Sequence, residues 1–290
     1  MDDILLKIAL VADKQWPRQM CIAALKPHFF KFFSNQEKRS SGYLKSLLCF
    51  WAFATASANA TMVQGFDVSK AWESAVVYVP SNFLPKRVND VKSEAPQPVV
   101  ILLHGCGGID VHERRWADHL KSQGFIVVLP DSLAIPGRSK NCDSTTHTAN
   151  MGKIPVNELR PAEAEYAMAR VREQTWADPD NIFLMGHSEG GMGAYLTPEL
   201  GFKGVIVSGF ICSIPGGLRA KPATPVLAIN WEFDPWFVRP GRPYLQCGDR
   251  NFWPRRSNAR QLVLPGQGHA TAFEAIARDA VGSFLKDFRK

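Results

Sequence analysis

The chain has 290 residues, 46% hydrophobic and 21% charged, with a formal net charge of +7. Much of that charge sits in the first sixty residues. Residues 61–290 carry 26 Lys+Arg against 23 Asp+Glu, a net +3 that calls for neither nucleic acid nor an anionic membrane surface as partner.

Lys38, Arg39 and Lys45 precede the apolar run Leu47–Ala54, and Ala58-Asn-Ala60 closes it. A basic region, a short apolar core and an A-x-A site read as a secretory signal peptide cleaved after Ala60. The core is shorter than the roughly 18 residues of a membrane span, so no stable membrane insertion is expected after cleavage. Residues 1–37 are long for a signal's first region; either translation starts internally, at Met20, or the leader is unusually long. Residues 1–60 are therefore read as a removed leader and 61–290 as one domain, a size that suits a single α/β fold.

Within that domain, Ser74–Val79 alternates as a strand, and Pro80–Pro98 is a polar connection. Val99–Leu103 is a continuous apolar run, as in a strand buried on both faces of a parallel sheet. Glu113–Gln123 has helical spacing, and Phe125–Leu129 is a further strand. Ser132–Asn157 reads as a long polar loop, of the kind that is functional or cross-linked. Arg160–Trp176 reads as a helix with Pro161 near its first turn. Ile182–Met185, Gly204–Val207, Pro225–Ile229 and Gln261–Leu264 are strands. Ile211–Pro222, Trp231–Ser257 and Pro265–His269 read as loops, and Ala272–Phe288 as a closing helix. Strands alternating with helices imply a mostly parallel sheet covered on both faces.

The chain is organised around Gly186-His-Ser-Glu-Gly190. A strand precedes this G-x-S-x-G and small residues able to start a helix follow it, which is the context of a nucleophile elbow. The glycines let neighbouring backbone approach, and the helix N-terminus directs partial positive charge at Ser188. A hydroxyl nucleophile needs a base, and the base an orienting carboxylate. His269, in Gly266-Gln-Gly-His-Ala270, is the expected base. Asp234, after the Pro225–Ile229 strand, is the expected acid, with Glu232 the rival and Asp249 third. The order Ser, Asp, His is that of the hydrolases built on such an elbow. The oxyanion donors are expected to be the amides of Glu189 and Cys106, the latter in His104-Gly-Cys-Gly-Gly108. His187 is read as a packing residue and His104 as bonding locally to backbone. His112, His119 and His147 lack metal-ligand spacing, so neither a metal nor a cofactor is expected. Trp231, Trp236, Phe237, Tyr244, Phe252 and Trp253 either wall a pocket or pack a loop. Arg138 and Arg239 either hold a substrate carboxylate or are solvated.

These residues resemble the dienelactone hydrolase family of α/β-hydrolases, in its exported branch. The resemblance runs through His104–Gly108, Trp116, Asp131-Ser132, Gly137-Arg138, Cys142, Arg160, Gly186–Gly191, Cys212, Asp234-Pro-Trp236, Cys247 and His269-Ala270. It implies an eight-stranded, mainly parallel sheet with flanking helices, and cofactor-free hydrolysis of esters or lactones. The name-giving enzymes use a cysteine nucleophile where this chain has Ser188. Glu189 stands where Gln is common, and its charge beside an oxyanion hole would oppose the intermediate unless it turns outward or is paired.

Of the six cysteines, Cys106, Cys142, Cys212 and Cys247 lie beyond the leader, and an even number in an exported chain suggests disulfides. Cys212 and Cys247 follow consecutive strands and are expected to pair. So are Cys106 and Cys142, which the usual strand order of this fold sets side by side. The sequence thus points to a periplasmic or secreted serine hydrolase acting on a small acyl compound. The competing readings are a non-catalytic binding protein on the same scaffold and a short-peptide serine peptidase; oligomeric state is left open.

Overall fold

The computed structural model describes residues 61–92, 95–149, 154–198, 200–211, 217–237 and 256–290. All of them belong to the compact unit Ala56–Lys290. The expected leader lies outside the described residues, as do the Cys212–Cys247 pair, Arg239, Tyr244, Asp249, Phe252 and Trp253. No helix among the described residues is long and apolar enough to cross a membrane.

In chain order the strands are β1 (Met62–Val63), β2 (Phe66–Asp67), β3 (Val76–Tyr78), β4 (Lys86–Arg87), β5 (Gln97–Leu103), β6 (Ile126–Leu129), β7 (Cys142–Asp143), β8 (Thr148–Ala149), β9 (Ala177–His187), β10 (Val205–Ser208), β11 (Val226–Phe233) and β12 (Ala259–Gln267). The helices are α1 (Ser69–Glu73), α2 (Val111–Ser122), α3 (Val156–Arg172), α4 (Glu189–Leu196) and α5 (Ala275–Phe288). Eight strands form one sheet in the order β12-β11-β10-β9-β5-β6-β3-β4. From β12 to β6 all neighbours are parallel, and β3 and β4 join antiparallel at one edge. This is the mainly parallel α/β-hydrolase sheet that the resemblance implied.

Side-chain alternation divides the core into two layers. Val99, Ile101 and Leu103 of β5 face one way, with Leu184 of β9 and Val207 of β10, under Ala71 and Trp72 of α1, Leu159 and Met168 of α3, and Tyr195 of α4. Val100 and Leu102 face the other way, with Phe183, Met185 and Ile206, under Trp116 and Leu120 of α2 and Phe284 of α5. A strand covered on both sides has no polar face, which explains the unbroken run in β5.

The chain runs from β5 to β6 on one side, then crosses back to β9 on the other. The C-terminal ends of β5 and β9 therefore flank the reversal in strand order, where open α/β sheets bind ligands.

Four expectations shift. Helix α3 begins at Val156, not Arg160, so Pro161 lies in its interior. The N–H that Pro161 lacks would have met the carbonyl of exposed Asn157, which water can serve. The 132–157 stretch is not one loop: it holds a 3-10 turn at Ser132–Ala134, the β7–β8 hairpin and the start of α3. Strand β11 runs on through Phe233, pairing as far as Gln267 across a bulge, so Trp231–Phe233 and Pro265–Gln267 are strand rather than loop. A 3-10 turn, Thr271–Phe273, precedes α5, which starts at Ala275.

Cys106, after β5, is joined to Cys142, at the start of the β7–β8 hairpin, with their Cα atoms 5.9 Å apart. β5 and β6 are hydrogen-bonded neighbours, the adjacency this pairing needs. Closing a loop of 36 residues contributes about 4 kcal/mol by chain entropy alone.

Candidate active site

Ser188 stands between β9 and α4 with φ 55° and ψ −117°, in the left-handed half of backbone space that a non-glycine residue rarely adopts. The glycines around it are required by contact. A Cβ on Gly186 would sit 1.9 Å from the Gly190 carbonyl oxygen, and one on Gly190 would sit 2.2 Å from that of Leu103. The turn is also pinned to the sheet, since the Ser188 amide donates to the Ser208 carbonyl at 2.9 Å. Ser188 is only 8% exposed, yet it lines two cavities.

His269 lies just beyond β12, and its Nδ1 donates to Asp234 Oδ2 at 2.7 Å. Asp234 is 1% exposed, and its other oxygen accepts from the Trp236 amide at 3.0 Å. The carboxylate thus holds the proton on Nδ1 and leaves Nε2 for the reaction. His269 lines one of the cavities that Ser188 lines. Glu232 stands apart: it is exposed on β11 and accepts from the Gly266 amide at 3.3 Å. β11 ends at Phe233, so Asp234 is the first residue off the strand and turns inward to the histidine, while Glu232 stays on the exposed end of the strand.

Glu189 opens α4, where an amide has no intrahelical acceptor. Across from it, the turn after β5 spends the Gly105 amide on Glu113 at 3.1 Å and the Gly108 amide on the Gly105 carbonyl at 3.1 Å. Cys106 lies between them and lines both cavities beside Ser188.

The Glu189 carboxylate is buried and paired. Oε1 takes a short hydrogen bond from Arg138 and lies 3.6 Å from Arg160 Nε. Arg138 also donates to the Ser139 carbonyl at 2.7 Å. Arg160 bonds Glu163 and donates to the His104 carbonyl at 2.6 Å. Ser132 closes the set by donating to Glu163 at 2.5 Å. Each glutamate thus faces an arginine. Arg138 is therefore neither solvated nor open to a substrate carboxylate, because its guanidinium is wholly buried against Glu189. Within this network His104 accepts from the Ser132 amide at Nε2, 2.9 Å, so its proton is on Nδ1, which donates to the Gly105 carbonyl at 2.6 Å. Burial first, and then the Arg160 charge, push its pKa down to about 3.

The other flank holds a column of imidazoles. His187 packs between His112, with ring centroids 3.8 Å apart, and His269, at 4.8 Å. The Ala272 amide donates to His112 Nε2 at 3.2 Å, which leaves the His112 Nδ1 proton facing Glu113 at 3.4 Å. Burial first, then the neighbouring His112 and His269, hold the His187 pKa well below the ordinary imidazole value. His187 is thus a neutral packing residue, as read from the sequence.

Of the aromatic candidates, Trp236 and Phe237 line the site. Trp231 instead packs over Gly268, where an added Cβ would come within 2.5 Å of its ring. Phe210 and Met192 also line the site, and the sequence reading missed both, as it missed the role of His112. The Phe210 carbonyl is fixed by Asn230 Nδ2 at 2.6 Å. Met192 lies one helical turn after Ser188 on α4, a spacing the elbow itself supplies, whereas Phe210 and His112 are brought there by strand order.

The sequence model of the dienelactone hydrolase family matches residues 87–277. No protein of curated function matches in sequence. Among solved structures, the chain is similar to a dienelactone-hydrolase-like promiscuous phosphotriesterase from metagenomic libraries. The two are 16% identical, with 74% of this chain and 97% of that one covered and a TM-score of 0.50. It is similar to the protein TT1662 of Thermus thermophilus at 18% identity, covering 75% and 94% of the two chains, with a TM-score of 0.50. Esterase PE8 is 23% identical over 68% of this chain and 94% of its own, with a TM-score of 0.45.

Proposed function

The chain belongs to the dienelactone hydrolase family, and we propose that within it this protein is an exported serine hydrolase cleaving a small carboxylic ester or lactone. The observation that carries this reading is the pairing of a strained Ser188, at a strand–helix turn, with a His269–Asp234 hydrogen bond beside the same cavity.

His269 Nε2 takes the Ser188 proton as Oγ attacks the carbonyl carbon. The charge that develops on the carbonyl oxygen is met by the Cys106 and Glu189 amides and by the N-terminus of α4. Asp234 stabilises the imidazolium. The imidazolium returns its proton to the leaving alkoxide, giving a Ser188 acyl-enzyme. Water, deprotonated by His269, then attacks the acyl carbon, and the imidazolium gives that proton to Ser188 Oγ as the acid leaves. Every proton moves between Ser188, His269, substrate and water, so the cycle needs no cofactor. The paired Glu189 carboxylate adds no net charge beside the oxyanion, which supports a normal hole despite the Glu. Export is supported by the signal-like segment ending at Ala60 and by the Cys106–Cys142 disulfide, a bond that persists in oxidising compartments.

Ester hydrolysis by the purified protein and by Ser188→Ala tests the reading. Loss of a triad member should lower kcat by on the order of 10⁴ to 10⁶ while the far-UV spectrum is unchanged. Near-normal turnover by the variant would end it.

A further inference from the structure

We infer that the acyl group this enzyme takes is small, uncharged and aromatic, of about benzoyl size, seated on the Glu189 side of Ser188. The inference rests on the serine-hydrolase reading and adds the substrate class to it.

The position of the base orients the substrate. Two cavities meet at Ser188, of about 340 Å³ and about 280 Å³. His269 lines only the smaller one. The imidazolium must hand its proton to the leaving oxygen, so the alcohol portion belongs in the His269 cavity. Gly105, Gly107, Asp110 and Ser144 line that side, and Trp236 and His147 border both cavities. Glu189, whose amide faces the developing oxyanion in the proposed mechanism, lines only the larger cavity. The acyl group is then left with the larger one.

Its walls set the chemistry. Met192, Phe210, Trp236 and Phe237 supply apolar surface, much of it aromatic. Phe210 and Phe237 meet edge to face, with ring centroids 5.6 Å apart at 87°. Trp236 meets His147 in the same way, at 5.5 Å and 86°. Rings held in such pairs offer faces and edges to a flat guest in the arrangements aromatic groups favour. Among the described residues no lysine or arginine lines this cavity, and Arg138 beneath it is committed to Glu189. An acyl group bearing its own carboxylate would lose hydration there and meet no cation among the described residues. Length is limited too. The cavity lies near the lower end of the roughly 300–1,000 Å³ range of small-molecule sites. His147, Thr148 and Ala149 of the β7–β8 hairpin form one wall, and the Cys106–Cys142 bond ties that hairpin to the turn after β5.

The test holds the leaving group constant. Rates of hydrolysis by the full chain are measured for methyl benzoate, methyl hexanoate and monomethyl terephthalate, which is a benzoyl ester carrying an added carboxylate. Methyl benzoate should exceed each of the others in kcat/KM by about tenfold or more. Phe210→Ala and Trp236→Ala should each shrink the benzoate-to-hexanoate ratio, chiefly through KM. A preference for hexanoate, faster turnover of the carboxylate-bearing ester, or a ratio that neither substitution moves would overturn the aromatic acyl site and leave the hydrolase reading standing. Failure of all three esters to react, with no other carboxylic ester cleaved, would remove the hydrolase reading and this inference with it.

Discussion

The two flanks of Ser188 follow opposite electrostatic plans. Beneath the oxyanion side, Arg138, Glu189, Arg160 and Glu163 are all buried and paired with one another. Behind the base, His112 and His187 are stacked rings, His112 held between the Ala272 amide and the Glu113 carboxylate and His187 against the Ser208 hydroxyl. The difference fits the roles that the proposed mechanism gives each flank. The nucleophile and its amides must stay fixed while charge develops, and a closed set of ion pairs resists movement. The base must itself gain and lose a proton, and a permanent cation stacked on it would oppose the gain. The buried Glu113 carboxylate stands further back, beside His112, while Asp234 is the charge that touches the base directly, at 2.7 Å.

Removing that charge breaks the base flank most severely. Asp234→Asn should lower kcat by on the order of 10⁴, because the amide favours the wrong imidazole tautomer. Glu232→Gln, on the exposed edge of β11, should stay close to wild type. Steady-state kinetics on the two variants decides between them, and a reversed order would mean the carboxylates are misassigned.

Acid acts on the charged flank through His104. Its folded pKa, about 3, lies below the ordinary imidazole value near 6.5, so the unfolded chain binds the proton more readily between those pH values. Stability from this group is therefore complete above about pH 6.5 and is lost as the pH falls toward 3, by up to about 5 kcal/mol. His187, also held down, acts with the same sign. Glu163, raised by its burial, acts with the opposite sign as carboxylates titrate. Denaturant midpoints measured from pH 7 to pH 4 should fall more steeply for wild type than for His104→Gln. Equal slopes would show that this imidazole does not govern the window.

A smaller effect sharpens the charged flank. Glu189→Gln leaves Arg138 buried without its carboxylate and should cost about 3 kcal/mol in urea unfolding. Replacing Arg138 by Met in the same chain should recover part of that loss. If the double variant is no more stable than the single one, the two side chains are not energetically coupled.

These flanks were unequally legible in the sequence. The β5 run, the elbow and the order Ser188, Asp234, His269 are local patterns, because they record which strand is buried on both faces and which loop leaves the sheet's C-terminal edge. The Cys106–Cys142 pairing followed from strand order alone. Arg138 was read as solvated or substrate-facing because an arginine beside a glycine turn carries no mark of burial. Its partner lies 51 positions away, across three strands and a helix. The imidazole column is hidden for the same reason: His112, His187 and His269 come from three elements, brought together only by the order β12-β11-β10-β9-β5. The helix boundary at Val156 was missed because Pro161 read as a start signal, whereas Pro155 is the residue that caps α3.

The central claim is that Ser188 is the activated nucleophile, and covalent labelling tests it most directly. The purified protein is treated with a fluorophosphonate at neutral pH and the adduct is mapped by peptide mass spectrometry. The account predicts one adduct, on the peptide containing Gly186-His-Ser-Glu-Gly190, located at Ser188 and abolished in Ser188→Ala. No adduct on natively folded protein, or an adduct on another residue that survives Ser188→Ala, would contradict it.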